Sequence, residues 1–314
     1  MMKIYITGHK SPDLDSVVAA IAYTELLKKT DKYSKADLIP TIPGEINKET
    51  EFVLDKFEVK MPDSLDKLDI EPEAAFILVD HNEESQRHEE TEGHTVLEII
   101  DHHKVNLNFA SPLQINIKPL GSTSSIIYQL FKREGINPSK KVKELLLSAI
   151  LSDTQGLKSS TTTGIDSEIA HELADDLKME LDKLTFEIFR AKSDITGLSA
   201  QEITKKDYKT FQFGEHEVFI NQIETVEPEK VLDMKENLIK ELEEVKTELG
   251  LSTGYIVITD ILEVNSHVIY SNETEKEILE EAFTAEGKDG IADIGPRMSR
   301  KKDIAPAIEK VLTQ

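Results

Sequence analysis

The tract Gly8-His9-Lys10-Ser11-Pro12-Asp13-Leu14-Asp15-Ser16 follows a short apolar run at 3–7 and leads directly into a helical pattern that begins at Ser16. Strand, loop and helix in that order put the loop at the carboxyl end of a strand and the amino end of a helix, where open α/β sheets carry their chemistry. Asp13 and Asp15 are two apart, so in an extended segment they point the same way, and a bend at Pro12 brings the His9 imidazole to that side. Taken alone, the pattern is more readily a helix cap with a surface histidine nearby. What turns the reading is that the same chemistry returns at later strand ends.

The continuous apolar run at 74–79 reads as a strand buried on both faces of a parallel sheet, and it ends on Asp80-His81-Asn82. The next strand, at 96–100, ends on Asp101-His102-His103, and the polar stretch 83–93 between them reads as a surface connection. Gly121-Ser122-Thr123-Ser124-Ser125 opens a helix that runs to about Gly135; its hydroxyls and amides suit either a helix cap, the simpler reading, or an anion. A helix at 139–152 delivers Asp153 at its carboxyl end, where the helix dipole disfavours a carboxylate and a compensating cation is expected.

His9, Asp13, Asp15, Asp80, His102 and Asp153 are therefore the candidate metal ligands. Four carboxylates meet in a partly buried site only if cations offset their repulsion, and neutral imidazoles complete the set without adding charge. Two divalent ions are the simplest answer. Oxygen and nitrogen ligands without sulfur suit manganese, cobalt or magnesium-like ions. Asp80 is placed to bridge the pair and Asp101 to orient an imidazole. Two metals about 3.5–4 Å apart activate water and stabilise both ends of a phosphoryl displacement, so hydrolysis of a phosphoanhydride or phosphoester leads the reaction classes.

The remainder of the chain predicts helices at 16–29, 47–57, 167–178 and 181–192, and a short strand at 36–39. Periodicity is lost at 193–200, around Asp194, Gly197 and Ser199. Beyond it come strands at 209–213, 218–223, 255–259 and 267–270, a long charged helix at 228–249 and a closing helix from about Ile304. At roughly 100–200 residues per domain, 314 residues make about two domains. The expectation is an α/β chain: a mostly parallel sheet with helices on both faces over 1–192, a linker at 193–200, and a smaller α/β domain over 201–314.

The net charge of -23, from 37 basic against 60 acidic residues, repels polyanions, so nucleic acid is a poor partner. There are no cysteines, which excludes disulfides and thiolate metal sites and agrees with a reducing cytoplasm. The amino-terminal segment is too short and polar for a signal peptide, and no apolar run reaches the roughly 18 residues that span a bilayer, so no membrane partner is expected. In so acidic a chain, Arg300-Lys301-Lys302 is an unusual basic cluster, suited to phosphate contacts or, alternatively, to a solvated helix start. His88, His94, His171, His216 and His267 have no comparable context, and His81 fits a supporting or a structural role equally.

Taken together, Gly8-His9 through Asp15, Asp80-His81-Asn82, Asp101-His102-His103 and Ser152-Asp153 resemble the DHH phosphoesterase superfamily. Ser299-Arg300-Lys301-Lys302 is similar to the carboxyl-terminal signature of its family II inorganic pyrophosphatases. The resemblance implies a DHH domain and a smaller carboxyl-terminal domain with the active site between them, dimerisation through the first domain, manganese as cofactor and pyrophosphate as substrate. It implies ligation by His9, Asp13 and Asp80 at one metal and by Asp15, Asp80, His102 and Asp153 at the other. His103 would act beside the bridging oxygen as proton donor or electrostatic stabiliser, with Asp80 as the shared catalytic carboxylate. Lys209, Arg300 and Lys301 would hold the phosphates.

Two positions depart from the family pattern: Leu14 replaces a common threonine, as in related exopolyphosphatases, and Asp303 stands where glutamine is frequent. Short-chain exopolyphosphatase and oligonucleotide phosphodiesterase are thus the alternative activities. The latter is disfavoured by the acidic charge and by the lack of a glycine-rich nucleic-acid signature. A non-catalytic metal-binding regulator is a third reading, against which His103 and the basic cluster argue. No inserted nucleotide-sensing module separates the two halves.

Overall fold

The computed structural model describes residues 1–313. Its contacts divide the chain into two units, Met1–Ala191 and a second from Lys192 on.

The first unit contains β1 (Met2–Thr7), α1 (Leu14–Lys28), β2 (Ala36–Ile42), α2 (Lys48–Lys56), β3 (Asp63–Ser64), β4 (Ala75–Val79), β5 (Thr95–Asp101), β6 (Gln114–Ile117), α3 (Thr123–Arg133), α4 (Lys140–Asp153), α5 (Gly164–Leu177) and α6 (Leu181–Lys192). Six strands form one parallel sheet in the order β3-β2-β1-β4-β5-β6. From β1 the chain winds first towards β2 and β3, then returns to β4 on the other side. The β1/β4 boundary is therefore a switch point, the place where such sheets open a crevice at their carboxyl edge. Register completes the placement: Thr7 pairs with Leu78, so the residues two further on, His9 and Asp80, leave neighbouring strands at the same level.

Every residue of β4 is buried, as its unbroken apolar run requires. Both sheet faces are covered, but unequally. Ile4, Ile6, Ile77 and Val79 meet the long helices through Val18, Ile127 and Leu146. On the other face Tyr5, Phe76, Leu78 and Ile99 lie under Leu65, Leu68, Leu107 and Phe109, which come from a 3-10 turn and loops. The two edge strands β3 and β6 are short and escape the apolar pattern, and α5 begins three residues earlier than its periodicity indicates because Thr163 and Asp166 form a capping box.

The second unit contains α7 (Ala200–Lys206), β7 (Tyr208–Phe213), β8 (His216–Thr225), α8 (Pro228–Leu232), α9 (Lys235–Leu249), β9 (Thr253–Asp260), β10 (Asn265–Ile269), α10 (Glu273–Phe283), β11 (Gly287–Lys288), β12 (Ile291–Gly295), a π-turn (Arg300–Ile304) and α11 (Ala305–Leu312). Its sheet runs β11-β12-β10-β9-β8-β7, with β8 and β9 parallel and the other pairs antiparallel. Apolar clusters pack on each face, one around Leu238, Leu242 and Ile256, the other around Val218, Val257 and Ile308.

The single helix expected over 228–249 is two helices. Met234 N bonds back to Val231 O, an i to i−3 contact that tightens the chain at Asp233 before α9 starts. The amphipathic period survives this break, which is why sequence alone does not reveal it.

Candidate metal centre

The loop after β1 approaches α1 so closely that a side chain at position 8 would collide with Ser16: a Cβ on Gly8 would lie 1.7 Å from Ser16 Oγ. That hydroxyl accepts the His9 N–H at 3.1 Å, while Asp13 caps α1 by accepting the Ser16 N–H at 3.0 Å. His9 Nδ1 faces the Lys10 carbonyl at 2.8 Å. A carbonyl only accepts, so Nδ1 carries the proton and Nε2 faces the acids, 3.5 Å from Asp13 Oδ1 and 3.6 Å from Asp80 Oδ2.

His102 is oriented in the same way. Its Nδ1 donates to the Leu120 carbonyl at 3.0 Å, and Nε2 stands 3.4 Å from Asp80 Oδ1 and 3.7 Å from Asp153 Oδ2. Asp80 presents one oxygen to each imidazole from a left-handed backbone conformation at φ 61°. Asp153 closes α4, as its position in the sequence anticipates. Three sets of ligand atoms converge within 4.8 Å: His9, Asp13 and Asp80; Asp15, His102 and Asp153; and Asp80, His102 and His103. All six proposed ligands are thus brought together.

Asp15 is fully buried at the start of α1 and is held by three donors from the start of α3. Ser122 Oγ reaches it at 2.8 Å, the Thr123 amide at 2.6 Å and the Ser124 amide at 3.0 Å. The serine-rich turn therefore does both things its composition allows: it caps α3 through Ser122 and receives an anion, which is this chain's own Asp15. Thr123 Oγ1 also donates to Asp80 Oδ1 at 2.8 Å. Behind the turn, buried Asp166 accepts from the Gly121 amide at 2.8 Å and from Ser125 Oγ at 2.6 Å, and a Cβ at Gly121 would come within 2.9 Å of it. Sequence reasoning did not identify Asp166; the only signal available was the Thr163-to-Asp166 spacing of a capping box.

The charge balance tests whether cations fit. Burial pushes the Asp80 carboxyl well above the usual carboxylate range, and the Asp15, Asp13 and Asp153 carboxylates push it further. Asp80 Oδ2 is buried with no hydrogen-bond partner. The imidazole-to-carboxylate separations of 3.4–3.7 Å exceed hydrogen-bond length but suit atoms sharing one ion at about 2.1 Å from each. Both the orphaned oxygen and the inward lone pairs call for positive charge, so the residues fit two divalent ions.

His103 lies at the mouth, its side chain 53% exposed, with Nδ1 donating to Asp101 Oδ1 at 2.9 Å. That bond raises the His103 pKa above its ordinary value. Burial alone would raise the Asp101 carboxyl, but donors from His103 and Asn82 bring it down to about 2. The ring thus has an anchor on Nδ1 and an outward Nε2. Buried His81 donates Nδ1 to the Val79 carbonyl at 2.9 Å, and burial pushes its pKa down to about 4, so it stays neutral. His9, Asp13, Asp80 and His103 line a cleft of about 330 Å³ together with Gln86 and Lys104.

The basic residues expected to hold phosphate lie in the second unit. Arg300 is nearly buried; its Nη2 donates to Asp207 Oδ1 at 2.8 Å and its Nη1 to the Asp207 carbonyl at 2.8 Å. Nη1 also reaches the Ile220 carbonyl at 3.3 Å, and Ile220 pairs with Lys209 across β7 and β8, so Arg300 is tied to the strand pair that carries Lys209. Lys209 and Lys301 are exposed. Asp207, which fixes the guanidinium, carried no sequence signal.

The profile of the DHH family, N-terminal domain, matches residues 3–150, and that of the DHHA2 domain matches residues 186–311. A manganese-dependent inorganic pyrophosphatase of Methanocaldococcus jannaschii is 36% identical, with 98% of each chain covered. A Bacillus licheniformis protein named a probable manganese-dependent inorganic pyrophosphatase is 36% identical with 99% of each covered. The crystal structure of a Methanococcus jannaschii protein assigned to the family II inorganic pyrophosphatases superposes with a TM-score of 0.63 at 35% identity, covering 98% of this chain and 99% of that one. The paired strand-end acids and imidazoles, the two domain matches in that order and identity sustained along the whole chain agree, and the chain belongs to the family II inorganic pyrophosphatases of the DHH superfamily.

Proposed function

We propose that this protein hydrolyses inorganic pyrophosphate to two phosphates with manganese as its cofactor. The observation that carries the reading is Asp80, a buried carboxylate with one oxygen near each imidazole and no hydrogen bond on Oδ2. His9, Asp13 and Asp80 would hold one ion, and Asp15, Asp80, His102 and Asp153 the other; cobalt or magnesium fits the same donors. When bound, the ions supply Lewis acidity and a water nucleophile at neutral pH. His103, whose protonated form Asp101 favours, presents Nε2 to donate a proton to the departing phosphate. Lys209, Arg300 and Lys301 bind the phosphate oxygens, Arg300 from a guanidinium already fixed by Asp207.

In this reading 1–192 carries the metals, 193–200 links, and 201–314 binds substrate; the separate contact groupings of the two units support it. Among the described residues no helix is long and apolar enough to cross a membrane. A cytoplasmic homodimer without nucleic acid is the assembly we propose, supported by the absence of cysteine, the net charge of -23 and the family resemblance. The test is phosphate release from pyrophosphate, tripolyphosphate and a dinucleotide, each with manganese and with chelator. Manganese-dependent release from pyrophosphate is expected. Turnover of tripolyphosphate or the dinucleotide alone would overturn the substrate assignment.

A further inference from the structure

Asp15 and Asp80 reach the centre from different elements, α1 and the loop after β4, and chain connectivity does not fix one relative to the other. Thr123 touches both. Its amide donates to Asp15 Oδ2 at 2.6 Å and its hydroxyl to Asp80 Oδ1 at 2.8 Å. It is fully buried as the first residue of α3, in a turn whose Leu120 carbonyl orients His102 and whose Gly121 and Ser125 are anchored on Asp166. Four residues of the five-residue stretch 120–124, all but Gly121, thereby orient three of the candidate ligands.

The hydroxyl has a specific mechanical role. A carboxylate rotates readily about its Cβ–Cγ bond, because that torsion is broad. Asp80 Oδ2 has no hydrogen bond of its own, so the Thr123 bond to Oδ1 is the contact that stops this rotation. With Oδ1 held beside His102, Oδ2 is left beside His9. We infer that Thr123 is a positioning residue that locks the Asp80 carboxylate so that each of its oxygens serves a different ion, and so couples uptake of the two ions. This rests on the two-ion reading above. Without the hydroxyl, Asp80 turns to chelate one ion with both oxygens and the other loses a ligand.

The test is manganese binding to chelator-stripped protein, followed by calorimetry and by the electron paramagnetic resonance of the bound ions. Wild type is expected to bind two ions with an exchange-coupled signal. In Thr123→Val, which keeps shape and amide but not the hydroxyl, the weaker ion should bind about 10–100-fold less tightly, the usual consequence of losing a partner of a metal ligand, and the coupled signal should give way to that of isolated ions. Thr123→Ser should restore both. Thr123→Ala is the second variant should valine fail to fold, and melting in chelator verifies folding. Either variant binding two coupled ions as tightly as wild type overturns the inference, as does serine failing to rescue. A wild-type chain that takes up no manganese overturns the two-ion reading itself, and the inference with it.

Discussion

His103 Nδ1 donates to Asp101 Oδ1 at 2.9 Å, and the same oxygen accepts the backbone N–H groups of His102 and His103 at 2.7 and 3.0 Å. One buried carboxylate thus fixes the ring and the backbone that carries it. Since this bond raises the His103 pKa, and a proton donor works in its charged form, activity should fall as pH rises through that pKa. Asp101→Asn removes the raising charge, so the alkaline limb of the kcat/KM profile should move to lower pH. His103→Gln should lower kcat by about 10²–10⁴-fold and abolish the limb. An unmoved limb in Asp101→Asn would exclude His103 as the acid.

Asp80→Asn should separate stability from function. In chelator, wild type buries Asp80 against the Asp13, Asp15 and Asp153 carboxylates, so neutralising it should raise the melting temperature, by roughly 2–4 °C per kcal/mol of repulsion relieved. With manganese the order should invert. Wild type gains about 4 kcal/mol at a thousandfold excess over Kd, while the variant gains little. Scanning calorimetry of both proteins with and without metal reads the result; a variant less stable than wild type in chelator would contradict the repulsion argument.

The neutral buried His81 makes a pH prediction of definite sign. Its folded pKa of about 4 lies below the ordinary value of 6.5, so between these the unfolded chain takes up a proton that the folded one refuses. Its contribution is complete above about pH 6.5, declines as pH falls towards 4, and is lost below that, for a total of about 3 kcal/mol. Urea unfolding of metal-free wild type and His81→Gln across this range should show the difference between them closing as the solution is acidified. A constant difference would mean that the ring is not held neutral.

In the second unit, Lys246 and Glu275 form an ion pair at 2.6 Å that is almost wholly buried. Glu275 also accepts the Gly254 amide at 2.9 Å and the Ser271 amide at 2.7 Å, tying β9 to the start of α10. Lys246→Met strands the carboxylate and should cost about 3–5 kcal/mol of unfolding free energy. Glu275→Gln keeps one acceptor oxygen where the carboxylate uses two, Oε1 for Gly254 and Oε2 for Ser271, so it loses one amide bond together with the pairing to Lys246 and should cost at least as much. A loss in Glu275→Gln well below that in Lys246→Met would show that the second amide bond contributes little.

The strands that position the centre were readable because β1, β4 and β5 are apolar runs that stop abruptly at acids and imidazoles. That His9, Asp13, Asp15, Asp80, His102 and Asp153 lie together could be anticipated on similar grounds: each sits where an apolar pattern ends or just where the next one begins. Asp166 and Asp207 could not be so anticipated. Their importance lies in what they bond to across 41 to 93 positions of sequence, and periodicity carries no information at that range. The short strands β3, β6 and β11 were hidden because a strand of two to four residues is shorter than any window in which alternation can be recognised.

Asp153 closes α4, whereas His9 follows the very first strand. The candidate ligand set therefore spans nearly half the polypeptide, and during synthesis it is incomplete until residue 153 has emerged and docked. Nascent chains halted short of that point carry an acidic hollow with its last wall missing, so manganese loading should be a late event in biogenesis, coming after this unit has closed.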